Sequence, residues 1–235
     1  MATFVLVHGA FQGGWVWRDV ARELAGMGHE AHTPTLSGCG HLHHGFRQGI
    51  DLHTYVLDVL NYLQFEALRD VVLVAHSYSG MVCGAVAMCV PHLIRRLVFA
   101  DAVIPASQTS FAAMAGEAFR HVLDSHTVGG WKVKPWALPM FGVPESKAEW
   151  FGARVCEFPL AAFTEPLPGE FDPRVVDGAC ITCTNTANRF INAMADKAFG
   201  LGWPVSSLES NHSPMTTHPH ELAVLLHETA REGAA

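Results

Sequence analysis

Hydrophobic and polar positions alternate along the chain in two patterns. Short runs at Thr3–Val7, Glu30–Pro34, Asp70–Ala75, Arg96–Ala100, Gly178–Thr184 and Pro204–Leu208 have the length and residue types of strands. Longer segments between them repeat apolar residues every three or four positions. In Trp15–Met27 one stripe holds Trp15, Val16, Val20, Leu24 and Met27, and in Asp51–Leu63 another holds Leu52, Val56, Val59, Leu60 and Leu63. Further helices are predicted from the turn at residues 76–80 to about Val90, over Asn188–Gly200 and over Pro219–Arg231. Gly28 and Pro91 supply stop signals for two of these helices. Strands alternating with helices predict βαβ units, and so an α/β fold with a mostly parallel central sheet flanked by helices.

The rhythm fails between Pro105 and Asp177. That stretch carries Trp131, Trp136, Phe141, Trp150, Phe151 and Phe163 among prolines and glycines, and it is too long for one bare loop. It predicts a cap, residues 105–175, inserted into a core of residues 1–104 and 176–235. A chain of 235 residues suits one such domain and needs no disulfide or metal staple.

Composition narrows the function. A net charge of −7 with no run of Lys or Arg argues against nucleic acid or an anionic membrane as partner. No apolar run reaches the ~20 residues of a membrane span, and the N-terminus has no signal-peptide pattern. A cytoplasmic protein with six reduced cysteines is therefore expected. Cys180-x-x-Cys183 lies within a strand-like run and not at a helix start, which argues against a redox or zinc role. His41, His43, His44 and His53 cluster in sequence but lack the spacing of a structural zinc site. Neither metal nor cofactor is expected. Monomer and homodimer both remain open.

Three segments carry chemistry. Residues 71–80 read V-V-L-V-A-H-S-Y-S-G. A nucleophilic serine must project from a tight strand-to-helix turn, with small residues two before and two after it. Ser77 occupies that place, flanked by Ala75 and Ser79, with Gly80 one position later. The second segment, H-G-A-F-Q-G-G-W from His8, follows the first strand but has no phosphate-binding fingerprint. Its Ala10 N–H is positioned to pair with that of Tyr78 as an oxyanion hole. His8, closing a buried strand, is read as shaping that loop. In the third segment, L-E-S-N-H-S-P-M, His212 lies after a strand and before the last helix, where a base belongs in the order serine, acid, histidine. His218, His220 and His227 are read as surface residues.

The stretches F-V-L-V-H-G-A-F-Q-G-G-W-V-W, V-V-L-V-A-H-S-Y-S-G-M-V and N-H-S-P-M resemble the bacterial relatives of plant methyl-ester esterases and hydroxynitrile lyases, over roughly residues 3–104 and 175–231. The resemblance implies the α/β-hydrolase fold, with Ser77 as nucleophile, His212 as base, and Ala10 and Tyr78 as oxyanion donors. It places an aspartate after the strand matching Ala179–Thr184, where this chain reads C-T-N-T-A-N-R-F, with Thr186 near the acid's position. Three explanations stand: Asp101, at the end of the neighbouring strand, supplies the carboxylate; Asn185 or Asn188 holds the imidazole without charge; or catalysis is weak or lost. Hydroxynitrile lyases of the group carry Thr and Lys where this chain has Gly9 and Ser213, so hydrolysis of a small apolar or aromatic ester is favoured, with Phe11, Trp131 and Trp136 as substrate contacts. The alternatives are a non-catalytic small-molecule binder and a cofactor-free lyase or cyclase.

Overall fold

The computed structural model describes residues 1–231; residues 232–235 of the expected core lie outside the described residues. In the first half of the chain β1 (Thr3–Val7), α1 (Arg18–Gly26), β2 (Glu30–His32), α2 (Leu52–Phe65), β3 (Val71–His76), α3 (Ser79–Cys89) and β4 (Ile94–Ala100) alternate. Two departures from the sequence pattern have a visible cause. A tight 3-10 turn over Gly14–Trp17 precedes α1 and leaves Trp17 fully buried, so the α-helix itself starts at Arg18. β4 starts at Ile94 because the register with β3 slips between Val71 and Val72, which lets Ile94 pair with Val71.

The irregular middle holds α4 (Phe111–Ala115), α5 (Glu117–His126), β5 (Thr127–Val128), β6 (Lys132–Val133), α6 (Glu145–Gly152), β7 (Phe158–Pro159) and α7 (Leu160–Thr164). Strands β5, β6 and β7 form a small antiparallel sheet. Strands of two residues and helices of five have no period to read, which is why no rhythm survives there. The chain then returns through β8 (Gly178–Cys183), α8 (Arg189–Gly200), β9 (Val205–Leu208), α9 (Pro214–Thr217) and α10 (Pro219–Arg231).

The main sheet has six strands in the order β2-β1-β3-β4-β8-β9, and every pairing is parallel. All six residues of β3 are buried, as expected for a central strand covered on both faces. At the opposite end of the sheet from the chemistry, Arg96 clasps Asp177 through two nitrogens (3.1 and 2.9 Å) and donates to the Thr229 carbonyl of α10 (2.6 Å). Parallel strands share one carboxyl end, so residues just past β1, β3, β4, β8 and β9 gather at one edge. The strand order reverses between β1 and β3, where α/β sheets open a crevice.

Candidate active site

Ser77 follows β3 with φ of +56°, a left-handed conformation that L side chains adopt only under constraint. The constraint is visible. The Ser77 N–H donates to the Asp101 carbonyl (3.2 Å), and the Val103 N–H donates to the Ser77 carbonyl (3.1 Å). Gly80 is essential here, because a Cβ would fall 1.8 Å from the Val103 carbonyl oxygen. Gly9 is also close, since its Cβ would lie 3.0 Å from both the Ser77 Cβ and the His76 Nδ1. Ser79 is accommodated in the turn because its buried hydroxyl accepts from the His76 N–H (2.8 Å) and lies 2.9 Å from the carbonyls of Val7 and His76.

Ser77, His212 and Asp101 come into line. The Ser77 hydroxyl lies 2.9 Å from His212 Nε2, and His212 Nδ1 lies 2.7 Å from Asp101 Oδ2. With Nδ1–H donating to the carboxylate, Nε2 is left to accept from the serine. Asp101 is only 2 % exposed and also sits at positive φ (+47°). Burial alone would push its carboxyl up. The bonds from His212, from the Thr186 hydroxyl (2.6 Å, to Oδ2) and from the Cys183 N–H (3.0 Å, to Oδ1) outweigh that and hold it below the usual carboxylate value. The carboxylate thus comes from the end of β4, and Thr186, from the β8 loop, binds it. Asn188 is occupied elsewhere, capping α8 by accepting from the Phe190 and Ile191 N–H groups, and Asn185 is exposed.

Two further residues support this arrangement. His76 Nε2–H donates to the His212 carbonyl (2.7 Å). Burial and the neighbouring His212 push His76 down to about 3, so it is a neutral donor whose Nδ1 has no partner. Sequence reasoning passed over His76, although a buried histidine ending a central strand is a signal that it needs a polar partner. His8 lies where a loop-shaping residue should: Nδ1–H donates to the Gly9 carbonyl (2.8 Å) and Nε2 accepts from the Leu36 N–H (3.1 Å), with burial holding it down at about 4.

Ser77 and His212 open onto a cavity of about 370 Å³, which Ala10 and Tyr78 also line. No hydrogen bond among the described residues uses the backbone N–H of Ala10 or Tyr78. The opposite walls come from the middle segment, with Phe111, Phe119, Trp136 and Phe163, and Phe11 packs edge-on against Trp136 at 4.7 Å between ring centroids. Tyr78 ties the two regions together by donating its hydroxyl to the Ala162 carbonyl (2.8 Å). Trp131, expected in this wall, is not there. The Gly129–Gly130 turn, both residues at positive φ, reverses the chain before β6, and the indole packs instead against Phe46 at 5.1 Å between centroids.

The chain is similar to known proteins over nearly its whole length. Residues 4–225 match the profile described as the alpha/beta hydrolase family. A carbendazim hydrolyzing esterase of Nocardioides sp. (strain SG-4G) is 33% identical, covering 95% of this chain and 97% of that one. Methylesterase 7 of Arabidopsis thaliana is 25% identical, covering 97% and 95%. Among solved structures, an extracellular alpha/beta-hydrolase from a Paenibacillus species, described as sharing structural and functional homology with tobacco salicylic acid binding protein 2, superposes with a TM-score of 0.86 at 23% identity over 98% of this chain and 100% of that one. A pyrethroid hydrolase from Sphingobium faniae JZ-2 superposes with a TM-score of 0.79 at 21% identity over 97% of each chain.

Proposed function

Because the chain belongs to the alpha/beta hydrolase family, we propose that it is an ester-hydrolysing enzyme that works through an acyl-enzyme on Ser77. The observation that carries this reading is the unbroken contact from Ser77 through His212 to Asp101. His212 Nε2 takes the serine proton as Oγ attacks the ester carbonyl. The Ala10 and Tyr78 N–H groups receive the oxyanion, and each such donor typically contributes about 100- to 1000-fold in rate. The imidazolium then returns its proton to the leaving alcohol. Water, deprotonated by the same nitrogen, releases the acid. Asp101 holds the Nδ1–H tautomer and balances the imidazolium charge.

The substrate is a compact apolar or aromatic ester. An aromatic-walled cavity of about 370 Å³ suits a single ring system with a short alcohol. The names of two relatives, one acting on carbendazim and one a methylesterase, point the same way. Phe11 and Trp136 contact the acyl part, and residues 105–175 serve as the cap over the core of residues 1–104 and 176–235. No helix among the described residues is long and apolar enough to cross a membrane, and a cytoplasmic site of action fits this reading. The non-catalytic alternative drew its support from the missing acid, and the Asp101 contact removes that support.

The test is intact mass after incubation with a fluorophosphonate. One adduct on the native protein and none on Ser77→Ala is expected. No adduct on the folded native protein overturns the acyl-enzyme mechanism.

A further inference from the structure

Two cavities adjoin at His212. The first, of about 370 Å³, holds Ser77 and the aromatic walls already described. The second, of about 230 Å³, shares His212, Met140 and Asn188 with it and is bordered further by Asn185, Thr186 and Asn211. Ser77 does not line the second cavity, and neither does any Phe, Tyr, Trp, Lys, Arg, Asp or Glu. Its walls are held by specific contacts. The Asn185 N–H donates to the Ser210 carbonyl (3.0 Å) and the Asn192 Nδ2–H to the Thr186 carbonyl (2.9 Å), which fix the loop after β8. From the middle segment, the Phe141 carbonyl accepts from the Ser213 hydroxyl. Gly142, at φ +68°, comes so close to the base loop that a Cβ there would fall 2.7 Å from the Asn211 Cβ and 2.8 Å from the His212 backbone nitrogen. The side chains of Asn185 and Asn211 are exposed and bond to no other group among the described residues, so their donors and acceptors are open to a ligand.

Resting on the esterase reading above, we propose that the second cavity is the alcohol subsite, and that it takes small neutral polyols both as leaving alcohols and as acceptors of the acyl group from Ser77. The division of the two cavities follows from the reaction. The acyl carbon bonds to Ser77 and must lie on that side, among the aromatic rings. The alcohol oxygen exchanges its proton with His212 and must lie beside that residue. The wall chemistry then sets the alcohol class. Carboxamides carry both donors and acceptors and so suit hydroxyl groups, which carry both as well. A hydrocarbon chain in the same place would strip water from those amides and return no hydrogen bond. A lining without charge offers no counter-ion to a phosphorylated or amino alcohol.

Microscopic reversibility makes a site for the leaving alcohol a site for an incoming one. In the transfer step a polyol hydroxyl gives its proton to His212 Nε2 as its oxygen bonds to the acyl carbon. The bond from the acyl carbon to Ser77 Oγ then breaks, and the same proton passes from Nε2 to Oγ. The products are a new ester and the free serine, and no electrons change hands. Water uses the same nitrogen, so hydrolysis and transfer compete for one acyl-enzyme.

The experiment gives the full chain para-nitrophenyl benzoate in buffer containing glycerol or n-propanol at equal molarity. Nitrophenol release reports acylation, and mass spectrometry of the products gives the ratio of new benzoate ester to benzoic acid. The expected ratio for glycerol exceeds that for n-propanol by about tenfold, the factor that one or two extra hydrogen bonds supply. Asn185→Leu and, separately, Asn211→Leu should bring the two alcohols to parity. Each ratio is internal to one enzyme, so a changed acylation rate cancels. Both positions are exposed, and two independent substitutions keep the test open if one of them fails to fold. Equal ratios for the two alcohols in the native enzyme, or a glycerol preference that survives both substitutions, overturn the proposal. Nitrophenol release with benzoic acid as the sole product overturns it and leaves the esterase reading standing. No release from folded native protein overturns both.

Discussion

Thr186 donates its hydroxyl to Oδ2 of Asp101, the same carboxylate oxygen that faces His212. The residue near the acid's expected position has become a support for a carboxylate on the adjacent strand. Asp101→Asn should keep the fold and lower kcat/KM by ~1000- to 10,000-fold, the scale seen when a triad acid loses its charge. Thr186→Val removes one bond to a charged group, worth about 1.5–3 kcal/mol, and should cost roughly tenfold or more in kcat with KM little changed. Steady-state kinetics on an aryl ester checks both. Full activity in Asp101→Asn would assign the acid elsewhere.

His76 is predicted to act through the backbone of His212. Its Nε2–H holds the His212 carbonyl at 2.7 Å. His76→Leu should lower kcat by roughly 10- to 100-fold, because small misplacements of a reacting group carry penalties of that order. His76→Gln, which restores an N–H donor, should recover part of the loss. The rate of fluorophosphonate labelling should fall and recover in parallel. A Leu variant that is merely less stable, with an unchanged labelling rate, would give His76 a structural role only.

The two buried histidines also set an acid limit on stability. His8 is held down at about 4 and His76 at about 3, both below the ordinary value near 6.5. Their folded values are lowered, so the unfolded chain binds more protons and stability rises with pH across the interval. The contribution is complete above about pH 6.5 and is lost as pH falls towards 4 and then 3. Between pH 7.5 and pH 5 the unfolding free energy should drop by roughly 4 kcal/mol, about 2 from each histidine. Guanidinium denaturation at the two pH values measures this, and an unchanged midpoint would contradict it.

Trp136 forms an aromatic wall of the cavity, with Phe11 4.7 Å away between centroids. Trp136→Ala should raise KM about tenfold for benzoate-type esters and far less for acetates, because ring-to-ring contacts contribute about 0.5–1.5 kcal/mol beyond area. Equal effects on both series would remove Trp136 from the acyl site.

Gly80→Ala should fail to give soluble protein. The added Cβ meets backbone, the Val103 carbonyl at 1.8 Å, and nothing flexible can yield. A loss above about 4 kcal/mol is expected. Gly26→Ala, which meets nothing, serves as the control.

What could be read from sequence followed the range of each signal. The strands and helices of the sheet region came from local periodicity, and the Ser77 turn from spacing over five residues. His212 was singled out by its order along the chain. Asp101 remained one of three candidates, because its contact with His212 depends on β4 lying beside β3 and β8, which no local pattern states. Thr186 and His76 went unassigned for the same reason, since each acts only through a partner distant in sequence. Trp131 was misplaced because aromatic content marks the middle segment without saying which ring faces inward.

The position of Asp101 has a consequence for how such a protein can change. The turn that carries the proposed nucleophile and the Asp101 carboxylate share one backbone knot, Ser77 N–H to Asp101 carbonyl and Val103 N–H to Ser77 carbonyl, so the two are inherited as one rigid piece. The loop after β8 keeps only the supporting Thr186. Its neighbours Asn188, Arg189 and Phe190 border the cavity without holding a charge on which the reaction depends. New substrates can therefore be explored by altering that border, one residue at a time, while the reactive machinery stays out of reach of the change.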